Sequence, residues 1–101
     1  MGKFFVYILY SNNYSRSYIG QTNDLDVRLH RHNKGNVLST RPYRPWVRIH
    51  DESFETRSQA MARERWLKSG KGRREVQEII MNYLSRAELL HPPKADGRKP
   101  L

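Results

Sequence analysis

The chain has no cysteine, which excludes disulfides and thiolate metal sites and leaves any metal to oxygen and nitrogen ligands. Long apolar runs are missing too. The segment Phe4 to Tyr10 falls far short of the roughly 20 residues of a membrane span. It is also a poor export signal, with no small-residue cleavage site after it. A cytoplasmic location is therefore expected, and a cysteine-free chain suits a reducing compartment. Acids are scarce: 10 Asp and Glu stand against 19 Lys and Arg, a formal net charge of +9 over 101 residues, with a mean hydropathy of -0.90. Such a surface attracts polyanions by releasing their counterions. A membrane surface would call for a basic helix with large apolar residues opposite. The sequence offers none, so nucleic acid is the expected partner.

What is present fits one domain. Phe4 to Tyr10 is aromatic and β-branched without a polar break, the pattern of a strand buried on both faces. Ser11 to Ser15 is a turn cluster and Ser17 to Thr22 a return strand. A helix follows, capped by Asn23 or Asp24 and ended by Gly35. Asn36 to Pro45 reads as a loop, and Trp46 to His50 alternates as a third strand. Thr56 with Gln59 forms a capping box for a helix running to Lys68. Ser69 to Gly72 breaks it, and Arg73 to Leu84 forms the next helix, its apolar stripe running from Val76 through Ile79, Ile80 and Tyr83 to Leu84. A second capping box, Ser85 to Glu88, is expected to open one last turn. The expected domain is residues 1–90, with 91–101 a basic, disordered tail. The order β-β-α-β-α-α gives a small mixed α/β (α+β) fold.

Two helices carry polar residues where apolar ones belong. At about 100° per residue, Arg28, Leu29 and His32 fall at roughly 300°, 40° and 340° from Leu25. Arg28 and His32 therefore share the stripe of the two leucines. Two ordinary readings compete with a functional one: an arginine snorkelling at the core edge and a satisfied, half-buried histidine. In the helix after Thr56, Glu64 falls between Ala60 and Leu67 on the inward stripe. A buried carboxylate must be paired, protonated or metal-bound, and Lys68 at i+4 offers a surface pair worth roughly 0.2–0.5 kcal/mol. In the hairpin, a two-residue turn at Asn12-Asn13 would set Tyr7 opposite Tyr18, with both hydroxyls on one face. Gly20 inside a strand marks a close approach of backbone or ligand.

These residues together resemble the GIY-YIG nuclease superfamily. Tyr18-Ile19-Gly20 is the second half of its signature, whereas Val6-Tyr7-Ile8 replaces the first half and keeps only the tyrosine. The stretch Asp24-Leu25 through Arg28-Leu29 to His32-Asn33-Lys34-Gly35 is similar to the family's arginine helix. Arg44-Pro45-Trp46 is similar to the segment before its third strand, and Ala60, Glu64, Leu67-Lys68 and Ser69 to Gly72 to its metal-binding helix and following loop. The likeness spans residues 4–84, nearest to the short stand-alone bacterial members grouped with the nuclease domain of the excision-repair subunit.

The resemblance implies a three-stranded antiparallel sheet flanked by helices, and a metal-dependent endonuclease hydrolysing DNA phosphodiester bonds in repair or recombination. Glu64 would hold one Mg²⁺ or Mn²⁺, Arg28 would bind the scissile phosphate, and Tyr7 and Tyr18 would orient or activate water with His32 assisting. Gln21 stands where some relatives have lysine, and Asn82 is the candidate for an asparagine that some place after the metal helix. Arg41, Tyr43, Arg44, Lys68, Lys71, Arg73 and Arg74 cluster in and beside two loops and are expected to line a groove for the backbone of nicked or branched DNA. A protein partner supplying specificity fits a chain this short. The competing readings are a non-catalytic nucleic-acid-binding module and an adaptor docking through the helix of Val76 to Leu84.

Overall fold

The computed structural model describes residues 2–90. The expected tail, 91–101, lies outside the described residues. Three strands, β1 (Phe4–Ser11), β2 (Arg16–Thr22) and β3 (Val47–Phe54), form one antiparallel sheet in the order β2-β1-β3. Three α-helices, α1 (Leu25–Lys34), α2 (Arg57–Lys68) and α3 (Arg73–Leu90), complete the expected β-β-α-β-α-α order. Single 3₁₀ turns at Arg41–Tyr43 and Gly70–Gly72 precede β3 and α3.

β1 is the central strand and divides the core, because successive side chains of a strand point to opposite faces. Val6 and Ile8 pack with Ala60, Leu67 and Val76 under α2 and α3, whereas Tyr7 and Leu9 pack with Trp46, Leu25 and Leu29 under α1. The seven apolar residues from Phe4 thus form a strand buried on both faces, as their pattern predicts.

The helix ends follow the sequence signals. The Asp24 carboxylate accepts a hydrogen bond from the Val27 amide, and Gly35 closes α1 in the left-handed region at φ 87°. Thr56 and Gln59 form both halves of the capping box of α2. Three expectations are corrected. The hairpin loop is longer than two residues: Ser11 pairs with Arg16, and Ser15 takes the positive φ (52°) that closes the turn. β3 runs beyond His50 to Phe54, because its charged residues pair across the sheet and with α2. The helix from Arg73 does not stop at Leu84. Ser85 and Arg86 continue it as one 18-residue element, since neither residue forbids helical dihedrals and no glycine or proline intervenes.

On the α2/α3 face an ion-pair network ties three elements together. Arg63 of α2 makes a two-pronged bond to Glu52 of β3 at 2.7 and 2.9 Å, and also pairs with Glu75 of α3. His50 reaches the same Glu52 carboxylate at 2.8 Å. The Arg63 bond holds Glu52 below the usual carboxylate range, against the opposing effect of burial.

Candidate active site

The corrected hairpin register decides which groups meet. Tyr7 lies opposite Gly20, and Tyr18 opposite Leu9. The expected direct Tyr7–Tyr18 pair is thereby replaced by a diagonal one. The two tyrosines still share a face, with ring centroids 6.2 Å apart. Gly20 is what admits the Tyr7 ring: a Cβ there would sit 2.6 Å from the Tyr7 hydroxyl oxygen and 2.7 Å from Cζ. The close approach expected at this glycine is that of a tyrosine side chain.

α1 lays Arg28 and His32 against these tyrosines. Arg28 Nε donates to the Tyr7 hydroxyl at 3.2 Å. His32 is fully buried, its Nε2 2.9 Å from the same hydroxyl and its Nδ1 2.8 Å from Thr40 Oγ1. Its ring meets Tyr18 edge-on at 4.9 Å. The tautomer follows from counting protons. The Thr40 hydroxyl has one, and gives it to the Val37 carbonyl at 3.3 Å. Its oxygen must then accept from His32 Nδ1–H, which leaves Nε2 with a lone pair, and the Tyr7 hydroxyl donates to it. The resulting chain runs from Arg28 through Tyr7 and His32 to Thr40 and the Val37 carbonyl, with every donor used in one direction.

Electrostatics agree with this arrangement. Burial pushes the Tyr7 hydroxyl up to about 12, against the pull of the Arg28 hydrogen bond. Burial, followed by the charges of Arg28 and Arg31, brings His32 down to about 4. Both shifts favour the uncharged forms, so Tyr7 and His32 stand neutral in the resting site. Arg28 holds its proton more tightly than usual through the Tyr7 hydroxyl, and Tyr18 adds to the effect.

Glu64 comes from α2, flanked by fully buried Ala60 and nearly buried Leu67. Its side chain is 21% exposed and one carboxylate oxygen accepts from Lys68 Nζ at 2.8 Å. The inward position and the helix-surface pair therefore coexist. Its negative charge makes the smallest of the contributions to the rise at Tyr7. The described residues include no group of three or more His, Asp or Glu able to enclose a metal.

The remaining candidates line several features of the surface. Lys68 and Arg73 share a groove beside Tyr18. Arg74 lines a different cleft with Glu78 and Met81, and Lys71 sits exposed in the 3₁₀ turn before α3. Arg41 and Arg44 brace their own loop, donating to the Gly35 and Arg41 carbonyls at 2.9 and 2.8 Å. Tyr43 meets Tyr14 edge-on and lies under the Arg16 guanidinium. Trp46 is core, and Trp66 is 39% exposed. Asn82 lines a cleft with Ile49 and His50. Gln21 has a buried amide oxygen without a hydrogen-bond partner.

Two contributors carry no signal in the helical or strand periodicity. Thr40 holds His32 through its hydroxyl and the Trp46 indole through its carbonyl. Asn33 clamps the Trp46 backbone, accepting from its amide at 2.6 Å and donating to its carbonyl at 3.0 Å. Asn33 falls on a solvent-side helix position and Thr40 in a loop, where no periodicity marks them.

A small antiparallel sheet thus carries two tyrosines on one face, α1 lays an arginine and a histidine against them, and α2 adds a carboxylate. The sequence profile of the GIY-YIG catalytic domain matches residues 3–77, and the chain belongs to the GIY-YIG family. It is 48% identical over 61 residues to a UPF0213 protein of Bacillus velezensis, a match covering 59% of this chain and 61% of that one. Among solved structures it is similar to the solution NMR structure of a UPF0213 protein from Bacillus halodurans. That match has 26% identity and a TM-score of 0.49, over 86% of this chain and 96% of the other. No described helix is long and apolar enough to cross a membrane.

Proposed function

We propose that this protein is an endonuclease that hydrolyses DNA phosphodiester bonds with the help of one divalent metal ion. The observation that carries the reading is the Arg28–Tyr7–His32 chain, with Glu64 on α2, the helix packed against β1 and β2. It joins a permanent cation to two buried, neutral proton-handling groups. The family adds the expectation of DNA and a metal.

The donor set suits a hard cation. Glu64 offers carboxylate oxygen, and no thiolate competes. Mg²⁺ commonly binds through one or two carboxylates and keeps several waters, so a single Glu64 matches Mg²⁺ or Mn²⁺ better than a dedicated cage would. When bound, such an ion polarises a phosphate oxygen and stabilises the leaving alkoxide.

The protein's own groups supply the rest. Arg28 keeps its charge at all working pH values, and its terminal nitrogens are suited to phosphate oxygens while Nε stays on Tyr7. Tyr7 and Tyr18 orient the attacking water. A proton leaving that water passes to Tyr7 Oη as the Tyr7 proton moves to His32 Nε2, which already accepts from it. A phosphate on Arg28 neutralises one of the charges that depress His32, so the substrate itself raises the basicity of the acceptor.

The test is cleavage of end-labelled single-stranded, duplex, nicked and branched DNA with Mg²⁺, Mn²⁺ or EDTA. Metal-dependent cleavage is expected, lost in both Glu64→Ala and Glu64→Gln. Cleavage that persists in EDTA, or in both variants, sinks the assignment. Metal-independent binding without cleavage would favour the non-catalytic module.

A further inference from the structure

A groove of about 520 Å³ lies outside the chain of hydrogen bonds just described, between the edge of β2, the end of α2 and the start of α3. Its volume falls in the range of small-ligand sites, roughly 300–1,000 Å³. The floor is hydrocarbon: Ile19, Leu67, Val76 and Ile80. The rim carries two cations, Lys68 and Arg73, and the amide of Gln77. Tyr18 lines it as well, and the same Tyr18 touches His32 on the other side. The groove therefore begins where the candidate catalytic cluster ends.

Two chemistries meet in it. A phosphate gains from Lys68 and Arg73 but nothing from the apolar floor. A duplex keeps its bases stacked inside and presents phosphates, leaving that floor unused. An unpaired nucleotide uses both, because every base has an apolar face and sits beside its own phosphate. β2 is an edge strand, so a displaced strand can reach the groove from the open side of the sheet.

We propose that this groove holds one unpaired nucleotide of the bound strand, its base on the Ile19–Leu67–Val76–Ile80 floor and its phosphate between Lys68 and Arg73. The proposal rests on the nuclease reading for its place beside the scissile bond. It names the substrate class as strands with an unpaired nucleotide next to that bond, such as flaps, frayed nicks and single strands.

Binding is measured in EDTA, so that no cleavage intervenes. Fluorescence anisotropy compares a labelled short single strand with the duplex of the same sequence, for wild type, Gln77→Trp and Ser17→Trp. Both replaced residues are exposed, and both variants fill the groove from its walls. Wild type is expected to favour the single strand about ten-fold. Each filled variant is expected to lose that preference while duplex binding stays unchanged. A scan of single abasic positions is expected to reveal one nucleotide whose base carries the effect. Equal affinity for both forms, indifference of both filled variants, or a flat abasic scan overturns the proposal. Metal-dependent cleavage is a separate readout. Its absence with a positive scan removes the nuclease and keeps the nucleotide site. Cleavage with a flat scan keeps the nuclease and removes the site.

Discussion

The two faces of the sheet are held together by different physics. Under α2 and α3 the core is hydrocarbon, from Val6 and Ile8 to Ala60, Leu67 and Val76, with a shell of ion pairs at its border. Under α1 the corresponding space holds a buried histidine, two tyrosines, a threonine and an indole, each with a hydrogen-bond partner or an aromatic contact. The first face gains stability from area removed from water. The second uses directional bonds that contribute little net stability but allow few arrangements. The comparison teaches that the two tyrosines, Arg28 and His32 sit on the face where geometry, not burial, is specified, while the opposite face supplies the stability and the Glu64 carboxylate.

The largest expected effect is on the apolar face. Leu67→Ala removes a nearly buried side chain and is expected to cost about 2–5 kcal/mol in urea unfolding. A loss below 1 kcal/mol would break the division. Next comes Arg28→Ala, expected to lower kcat by about 10²–10³-fold, as removal of a charge-stabilising donor does, while stability moves by less than about 1 kcal/mol. A comparable loss of stability would show that Arg28 belongs to the framework instead.

The third effect is a pH dependence. Unfolded, His32 takes up a proton near 6.5; folded, only near 4. Between these values the unfolded chain binds more protons, so stability falls as pH drops through 6.5 and the loss is complete below about 4. It amounts to about 3 kcal/mol. Glu52, held low, adds to the loss only below the ordinary carboxylate range. Unfolding midpoints flat from pH 7.5 to 5 would contradict a neutral, buried His32.

Thr40→Val sharpens the comparison further. It keeps the shape but removes the acceptor of His32 Nδ1–H, at about 1–3 kcal/mol. Imidazole nitrogen shifts in NMR are expected to report loss of the single Nδ1–H tautomer. A single unchanged tautomer would assign its selection to Tyr7 alone. Smallest is Lys68→Met, whose loss of the exposed pair with Glu64 is worth no more than about 0.5 kcal/mol in thermal unfolding; a shift well beyond that would give the pair a structural role.

How much of this was legible in sequence follows the same divide. Arg28, His32 and Glu64 could be read because a polar residue on an apolar stripe leaves a mark at helical period. The two-sided burial of the strand Phe4–Tyr10 and the capped helices could be read from local chemistry. The hairpin register could not: it depends on a loop length, and Ser15 gives no sign of its positive φ. Thr40 and Asn33 could not either, because their partners, His32 and Trp46, are set by tertiary packing. The extent of β3 is hidden because its outer half is charged, and those charges make sense only once Arg63 stands across from Glu52.

That arginine has one more consequence. A helix lying on a sheet is free to roll about its axis unless something indexes it. Arg63 is pinned to Glu52 on the sheet and Glu75 on the neighbouring helix, which fixes the azimuth of α2. Glu64 is the next residue, about 100° further round. The direction in which the candidate metal ligand points is thus set by a bond that takes no part in the chemistry, and a small roll there would swing the carboxylate away while leaving every residue of the tyrosine cluster in place.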